Sequence, residues 1–213
     1  MTEPINQSMY RNTSKSCNAT GCYEPRRNLG GYCKKHYTNA YLYGDPNGKA
    51  ILAKDYLGEI ERVGELIDAN LEHPAVEAAC VYLQRWLDSA SRGEAGMCAI
   101  AVARVASEAS AVDVLKATSA LWLYSENNPC RFSSDLNLTY QLGMSFLRCA
   151  RYPTKISSLG KQYSIVPTGG TRRAIGQKLR DTLGLFYMNL CAHFRDLDEA
   201  EGQLKKDMYK SFN

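Results

Sequence analysis

Apolar residues recur every three or four positions over most of the chain beyond residue 50, which is the spacing of one face of an α-helix. The clearest stripe lies near the C-terminus and consists of Ile175, Leu179, Leu183, Phe186, Leu190 and Phe194. A similar stripe runs from Leu52 to Leu71. These patterns predict a mainly α protein whose multi-helix domain ends in a long C-terminal helix.

Residues that favour helix starts separate these stripes. Pro74 suits the first turn of a helix, where its missing N–H costs nothing. Ser110 with Asp113 has the pattern of a capping box. Ser134 or Asp135 can cap the helix that follows. The sequence therefore predicts helix starts near residues 74, 110 and 135.

Two further segments differ from the amphipathic pattern. Residues 97–108 are small and apolar nearly all round, which predicts a buried central helix. Residues 154–170 break the helical period, and Tyr163 and Ile165 alternate with polar neighbours. Alternation of this kind indicates a short strand or an ordered loop.

Three of the eight cysteines and one of the three histidines have the spacing Cys17-x4-Cys22-x10-Cys33-x2-His36. Structural zinc takes four such ligands, typically as two pairs. Turn-forming residues separate the first pair. Cys33 and His36 share one face if a helix begins near Cys33. Four protein ligands fill a tetrahedron, so the pattern predicts one structural Zn²⁺ per chain.

The same stretch carries a family resemblance through C-x4-C, GYC-x2-HY and GDP, over residues 17–46. It resembles the short zinc finger found in many bacteriophage proteins, often at the N-terminus of homing-type HNH endonucleases. The resemblance implies a phage-type protein that acts on or with nucleic acid. In that family the helix after the histidine is usually rich in arginine, whereas here it reads TNAYLY. Tyr37, Tyr41 and Tyr43 form an aromatic face that can pack on the next domain or on a partner.

Length and composition indicate how many domains the chain can form. The 213 residues are 45% apolar and suffice for one or two domains. We expect a flexible tail over residues 1–15, a zinc finger over 16–48 and a helical domain over 49–213. No stretch approaches the roughly 18 apolar residues of a membrane span, and the polar N-terminus is unlike a signal peptide. We therefore expect a cytoplasmic protein, in the host if phage-encoded, with no membrane partner.

Charge is segregated along the chain. Residues 1–54 hold eight Lys or Arg against three Asp or Glu, and residues 145–180 hold eight against none. Between them, residues 55–144 hold six against thirteen. Basic zones can be footprints for anions, although a solvated face has the same composition.

The second basic zone contains the start of the last helix, for which Thr171 is the predicted N-cap. Helix N-termini favour anions. A helical wheel places Arg173, Gln177 and Arg180 opposite the apolar stripe as one exposed row. The predicted nucleic-acid contacts are Arg172, Arg173, Gln177, Lys178, Arg180, Lys161, Arg26 and Arg27.

Three functions compete at this point. The first is a non-enzymatic protein that binds nucleic acid through its basic zones. The second is a phage regulator or inhibitor that binds a host protein machine, such as RNA polymerase. The third is a nuclease, because fingers of this kind often precede an HNH endonuclease domain. An HNH site needs several histidines near one metal, and only His73 and His193 remain outside the finger, 120 residues apart.

Overall fold

The structure is a computed structural model, and it describes residues 5–92, 98–152, 154–156, 162–164 and 167–211. The protein is mainly α, as the hydrophobic pattern predicts. Over the described ranges the helices are α1 Ile5–Thr13, α2 Lys34–Tyr43, α3 Leu57–Ala69, α4 Pro74–Ser91, α5 Ala99–Ala106, α6 Ala111–Asn127, α7 Asp135–Arg148 and α8 Gly169–Ser211. Short 3₁₀ turns cover Ala53–Tyr56 and Pro129–Arg131. Strands β1 Thr154–Ile156 and β2 Gln162–Ser164 pair antiparallel, with Lys155 opposite Tyr163.

The predicted helix starts are confirmed. Pro74 opens α4, and the Nδ1 atom of His73 accepts a hydrogen bond from the Ala75 N–H at 3.3 Å. Ser110 and Asp113 form the capping box of α6. The Ser134 hydroxyl accepts from the Asn137 N–H at the start of α7. Each cap satisfies a backbone N–H that has no partner inside its own helix.

Helix α6 is the centre of the helical domain. Its buried residues run from Ala111 to Ser125 and include Thr118 and Ser119. The Thr118 hydroxyl donates to the Val114 carbonyl at 2.8 Å and accepts from the Tyr187 hydroxyl at 2.9 Å. Because this polar side chain is satisfied internally, α6 can be buried although its sequence is not uniformly apolar.

The expectation that residues 97–108 form the buried central helix is wrong. Helix α5 in this segment is only eight residues long, and Ile100 on it is 89% exposed. It buries only Ala101, Val102 and Val105. The segment is rich in small apolar residues, which suggested burial on all sides. Only one face of α5 contacts the core, and the rest of the helix is more exposed.

Helix α8 buries the predicted stripe with one exchange. Tyr187 is fully buried, whereas the predicted Phe186 is only half-buried. The Tyr187 ring stacks on Trp122 with ring centroids 5.1 Å apart. Helix α8 also packs closely along α7, where Gly143 faces the Arg172 carbonyl and Gly176 faces the Thr139 carbonyl. A Cβ atom at either glycine would overlap that backbone oxygen, so both positions need glycine.

The finger is docked on one face of α7, mainly through hydrogen bonds that α7 side chains donate to backbone carbonyls of the finger. On this surface, which we call the α7 donor face, the Asn137 amide lies 2.6 Å from the Tyr43 carbonyl and the Tyr140 hydroxyl lies 2.6 Å from the Tyr41 carbonyl. Gly44 ends α2 with a φ of 77°, and a Cβ there would strike Tyr140. The face also includes Ser134, Gln141 and Arg148, which bond Asp45, the Lys49 carbonyl and the Ile51 carbonyl. The finger is therefore held at a fixed orientation, and its predicted division from the helical domain at residue 48 remains a prediction.

The N-terminal segment contains a short helix that contacts the finger. Residues 5–13 form α1, and the Asn12 amide donates to the carbonyls of Asn28 at 2.7 Å and Gly30 at 2.8 Å. These bonds connect α1 to the finger loop. The expectation of a flexible tail over residues 1–15 stays a prediction. No helix over the described ranges is both long and apolar enough to cross a bilayer.

Candidate metal centre

The first pair of candidate ligands lies on a tight turn. Ser16 pairs with Pro25 in an isolated antiparallel bridge, and the Cys17 N–H donates to the Glu24 carbonyl at 2.8 Å. Inside this loop the Cys22 N–H donates to the Ala19 carbonyl at 3.1 Å. The turn brings Cys17 and Cys22 to the same side of the loop.

The second pair lies at the start of α2. Cys33 is the N-cap residue in an extended conformation, and His36 follows in the first helical turn. The Asn18 N–H donates to the Gly31 carbonyl at 2.9 Å, which joins the segment before α2 to the first turn. Local geometry thus supplies two ligands from each segment, and hydrogen bonds hold the segments together.

The four ligand atoms converge. The Nδ1 atom of His36 lies 3.4 Å from the sulfurs of both Cys17 and Cys33, and the sulfurs of Cys22 and Cys33 are 4.0 Å apart. All four atoms lie within 4.8 Å of one another. A tetrahedral ion with bonds of about 2.3 Å to sulfur and about 2.0 Å to nitrogen requires ligand separations of about 3.5–3.8 Å. The four predicted ligands are therefore brought together, and they could hold a metal ion.

Charge in the cluster favours a cation. Burial opposes ionisation of the Cys17 thiol, but the N–H groups of Ala19 and Cys33, 3.4 and 3.2 Å from its sulfur, lower its pKa to about 6. The Glu24 N–H acts to lower the pKa of Cys22, but burial and the neighbouring sulfurs of Cys17 and Cys33 outweigh it and raise that pKa. Neighbouring thiolates repel each other, and a bound divalent cation removes this cost.

Arg26 is a structural part of the finger rather than an open contact. Its guanidinium donates to the Ser16 carbonyl at 2.8 Å, to Asn18 Oδ1 at 2.5 Å and to Asn12 Oδ1 at 3.5 Å. These bonds connect α1, the first turn and the segment after it. These partners engage several of its donors, and the predicted contact of Arg26 with nucleic acid stays a prediction.

The exposed row predicted on α8 is partly wrong, because Arg180 at its end is only partly exposed and Arg172 beside the row is buried. Arg172 is only 7% exposed, lies over the Tyr140 ring at 5.7 Å and donates to its hydroxyl at 3.3 Å. Arg180 donates to the Asp135 carbonyl at 3.0 Å and to the Thr139 hydroxyl at 2.7 Å. Both arginines thus stabilise the contact with α7. The apolar stripe is one buried face of α8. The contact with α7 buries a second face, which is polar.

The remaining predicted contacts that the structure describes are exposed. Arg173 and Lys178 lie at the surface, with the Lys178 ammonium 5.2 Å from the Trp86 ring. Gln177 donates to Asp181 at 2.7 Å. Arg27 is exposed, and its guanidinium lies over the Tyr37 ring at 5.5 Å. Lys161 lies outside the described residues.

The start of α8 differs from the prediction as well. The helix begins at Gly169 rather than after Thr171. The Thr168 hydroxyl accepts from the Thr171 N–H at 3.3 Å and so takes the capping position. The two glycines that precede Thr171 lie inside the first turn rather than in a loop that could wrap an anion.

His73 and His193 line the same pocket, although 120 residues separate them in the sequence. The pocket has a volume of about 260 Å³ and lies between the α3–α4 corner and α8. Its other lining residues are Leu66, Ile67, Asn70, Ala75, Val76, Phe186, Asn189 and Leu190. None of these is acidic or a thiol. Within the described ranges the only cluster of three or more potential metal-binding side chains is the one in the finger. The sequence gives no sign that His73 and His193 lie near each other, because their proximity depends on how α8 crosses α3 and α4.

Comparison with protein-family models, curated proteins and solved structures finds no match to this chain. The resemblance to phage zinc fingers therefore rests on residues 17–46 alone.

Proposed function

We propose that this protein binds nucleic acid without catalysing a reaction on it, and that its finger is held together by one structural Zn²⁺. Three thiolates and one imidazole in a tetrahedral arrangement are a ligand set typical of structural zinc. With Cys17, Cys22, Cys33 and His36 all bound, no position remains open for water or substrate. The metal would then stabilise the finger, and the surface of the finger would carry the function.

The observation that carries this proposal is the mixture of exposed aromatic and cationic side chains on the finger. Tyr23 is 89% exposed and Tyr41 is 59% exposed. Arg27, Lys34 and Lys35 are exposed nearby in sequence. From residue 10 to residue 41 the chain has six Lys or Arg and one Glu. Proteins that bind single-stranded nucleic acid stack bases on aromatic rings and hold the backbone with cations.

Substitutions on this surface test the proposal. Tyr41→Ala should weaken binding to a single-stranded oligonucleotide by roughly 5- to 100-fold, because stacking contributes about 1–3 kcal/mol per base. Arg27→Ala should lower the slope of log affinity against log salt by about one. Fluorescence anisotropy with labelled DNA and RNA at several salt concentrations measures both effects.

The matched control is Arg85→Ala, which removes an exposed cation of α4 in the acidic segment. This variant should bind like the wild type. If wild-type protein does not bind either oligonucleotide at low salt, or if all three variants bind equally well, the proposal is wrong.

A second candidate is a regulator or inhibitor that binds a host protein machine such as RNA polymerase. The observation in its favour is that Leu29, at 59% exposed, adds an apolar side chain to the aromatic surface of the finger. Affinity purification from infected or expressing bacterial cells separates the two candidates. A partner protein retained after nuclease treatment, and lost in Tyr41→Ala, would support the second candidate over the first.

A further inference from the structure

A polar cleft lies at the seam between the finger and the helical domain. Its volume is about 610 Å³, within the range of pockets that bind small ligands. One wall is α2, the floor is the chain over residues 47–50, and the other wall is the turn before α7. We call it the seam cleft, and its lining residues are Lys35, His36, Asn39, Tyr43, Asn47, Gly48, Lys49, Ala50, Cys130, Arg131 and Ser133.

Positive charge dominates this lining, since it contains three cations and no carboxylate. Over the described ranges, the ammonium groups of Lys35 and Lys49 have no carboxylate within ion-pair distance. Arg131 lies 3.6 Å from Asp55, but its side chain remains 46% exposed. Two lysines without an acidic partner therefore share a concave site.

Asp45, the acidic residue closest in sequence to the floor of the cleft, is hydrogen-bonded to other groups of the protein. Asp45 accepts from the Ser134 hydroxyl at 2.6 Å and from the Asn47 N–H at 2.7 Å. Burial opposes ionisation of Asp45, but these hydrogen bonds outweigh it and lower its pKa. Its carboxylate thus has donors of its own and fixes the floor of the cleft rather than lining it.

Neutral donors complement the lysines. The Nδ1 atom of His36 faces the sulfurs of the metal centre. When Nδ1 binds a metal, the other ring nitrogen, Nε2, carries a proton and can donate a hydrogen bond. The Asn47 side-chain amide adds a further polar group to the lining, whereas the Ser133 hydroxyl is hydrogen-bonded to the Asp45 carboxylate. Cations combined with neutral donors are the chemistry that recognises phosphate oxygens.

We propose that the seam cleft binds the phosphate groups of a nucleic-acid strand. This inference rests on the proposed function and adds the place where the backbone is held. Lys35 and His36 lie in the first turn of α2, next to the metal centre. Lys49 belongs to the chain docked on α7, and Arg131 belongs to the 3₁₀ turn before α7. The cleft is therefore complete only when the metal is bound, and phosphate binding should require the metal.

Cys130 gives a direct readout of cleft occupancy. It lines the cleft, and it is the only exposed cysteine among those that the structure describes. Iodoacetamide should therefore alkylate Cys130 first in zinc-loaded protein, with loss of iodide, because the thiol must be accessible to react. A ligand in the cleft should slow this reaction, and mass spectrometry of the peptide measures its rate.

Two probes test the inference, namely inorganic tripolyphosphate and a 20-nucleotide single-stranded oligonucleotide. In wild-type protein both should slow alkylation of Cys130 severalfold. The Lys35→Gln/Lys49→Gln double variant should bind tripolyphosphate at least tenfold more weakly and should lose the protection. It should also lower the salt slope for the oligonucleotide by about two, one for each phosphate contact removed.

The matched control is Lys54→Gln, which removes an exposed lysine that lies outside both the finger and the cleft lining. It should leave tripolyphosphate affinity within twofold of the wild-type value. If the oligonucleotide binds but leaves Cys130 unprotected and the double variant matches Lys54→Gln, the cleft inference is wrong and the proposed function stands. If tripolyphosphate alone protects Cys130, the cleft binds free phosphate compounds, and binding of a nucleic-acid strand there is wrong. If neither probe binds, both proposals are overturned.

Discussion

In the Cys33→Ser variant, we expect the chain to lose its metal ion and the finger to unfold. Cys33 supplies one of the four candidate ligands. Serine keeps the N-cap position and the backbone N–H that donates to the Cys17 sulfur at 3.2 Å, so the variant removes only the thiolate. The finger has a very small apolar core, consisting of Cys17, Ala19 and Cys33 with Cys22 and Tyr32 against it. Its folding must then depend on the metal, which contributes about 10 kcal/mol or more in zinc-finger peptides.

The helical domain should keep its fold in this variant. Its core contains large, fully buried side chains such as Phe146, Leu121 and Tyr187, none of which touches the finger cluster. Elemental analysis should give no metal, and limited trypsin digestion should cut after Arg27 and Lys35 within minutes. The part of the chain after Lys49 should stay resistant.

The control for this experiment is Cys130→Ser, which removes an exposed cysteine outside the cluster. This variant should keep one metal ion per chain and should resist trypsin as the wild type does. A full metal content or an intact finger in Cys33→Ser would show that the finger does not depend on these four ligands.

The second large effect is expected for Gly176→Ala, which should destabilise the protein by about 3 kcal/mol or more. The added Cβ would overlap the Thr139 carbonyl of α7 and lie close to the Gly143 N–H. Overpacking usually costs about 1–3 kcal/mol. Here the obstacle is backbone inside a helix, which cannot rotate away, so α7 and α8 must separate. Urea denaturation followed by circular dichroism gives the free energy of unfolding.

Gly184→Ala is the matched control on the same helix. A Cβ at Gly184 meets nothing within 4 Å, so this change should stabilise the protein by up to about 1 kcal/mol through helix propensity. The two substitutions are chemically identical and should change the free energy of unfolding in opposite directions. A Gly176→Ala protein as stable as the wild type would contradict the close packing of α7 on α8.

The features that sequence predicted well depend on local geometry. The caps at Ser110 and Ser134 and the proline at the start of α4 use partners within three residues. The convergence of Cys17, Cys22, Cys33 and His36, which could hold a metal ion, was predictable for the same reason, because the two members of each pair are at most five residues apart.

The stripe on α8 follows from helical periodicity, but the exchange of Phe186 for Tyr187 in the core does not. Tyr187 is buried through its contacts with Trp122 and Thr118 of α6, which periodicity cannot show.

The features that sequence missed depend on contacts between distant elements. Arg172 and Arg180 have the composition of an exposed basic row, and only the position of α7 shows that Tyr140, Asp135 and Thr139 bind them. The α7 donor face was missed as well, because four of its five partners are backbone carbonyls. Every residue has a backbone carbonyl, so the sequence gives no sign of which ones accept a hydrogen bond. Burial in this protein therefore includes polar faces that hydrophobic patterning cannot detect.

The central claim is that Cys17, Cys22, Cys33 and His36 hold one structural zinc ion. X-ray absorption at the zinc edge of purified protein tests it most directly. We expect one zinc per chain, bound by three sulfur atoms at about 2.3 Å and one nitrogen atom at about 2.0 Å, with no oxygen ligand. Protein that contains no zinc, or zinc bound mainly by oxygen and nitrogen, would contradict the account.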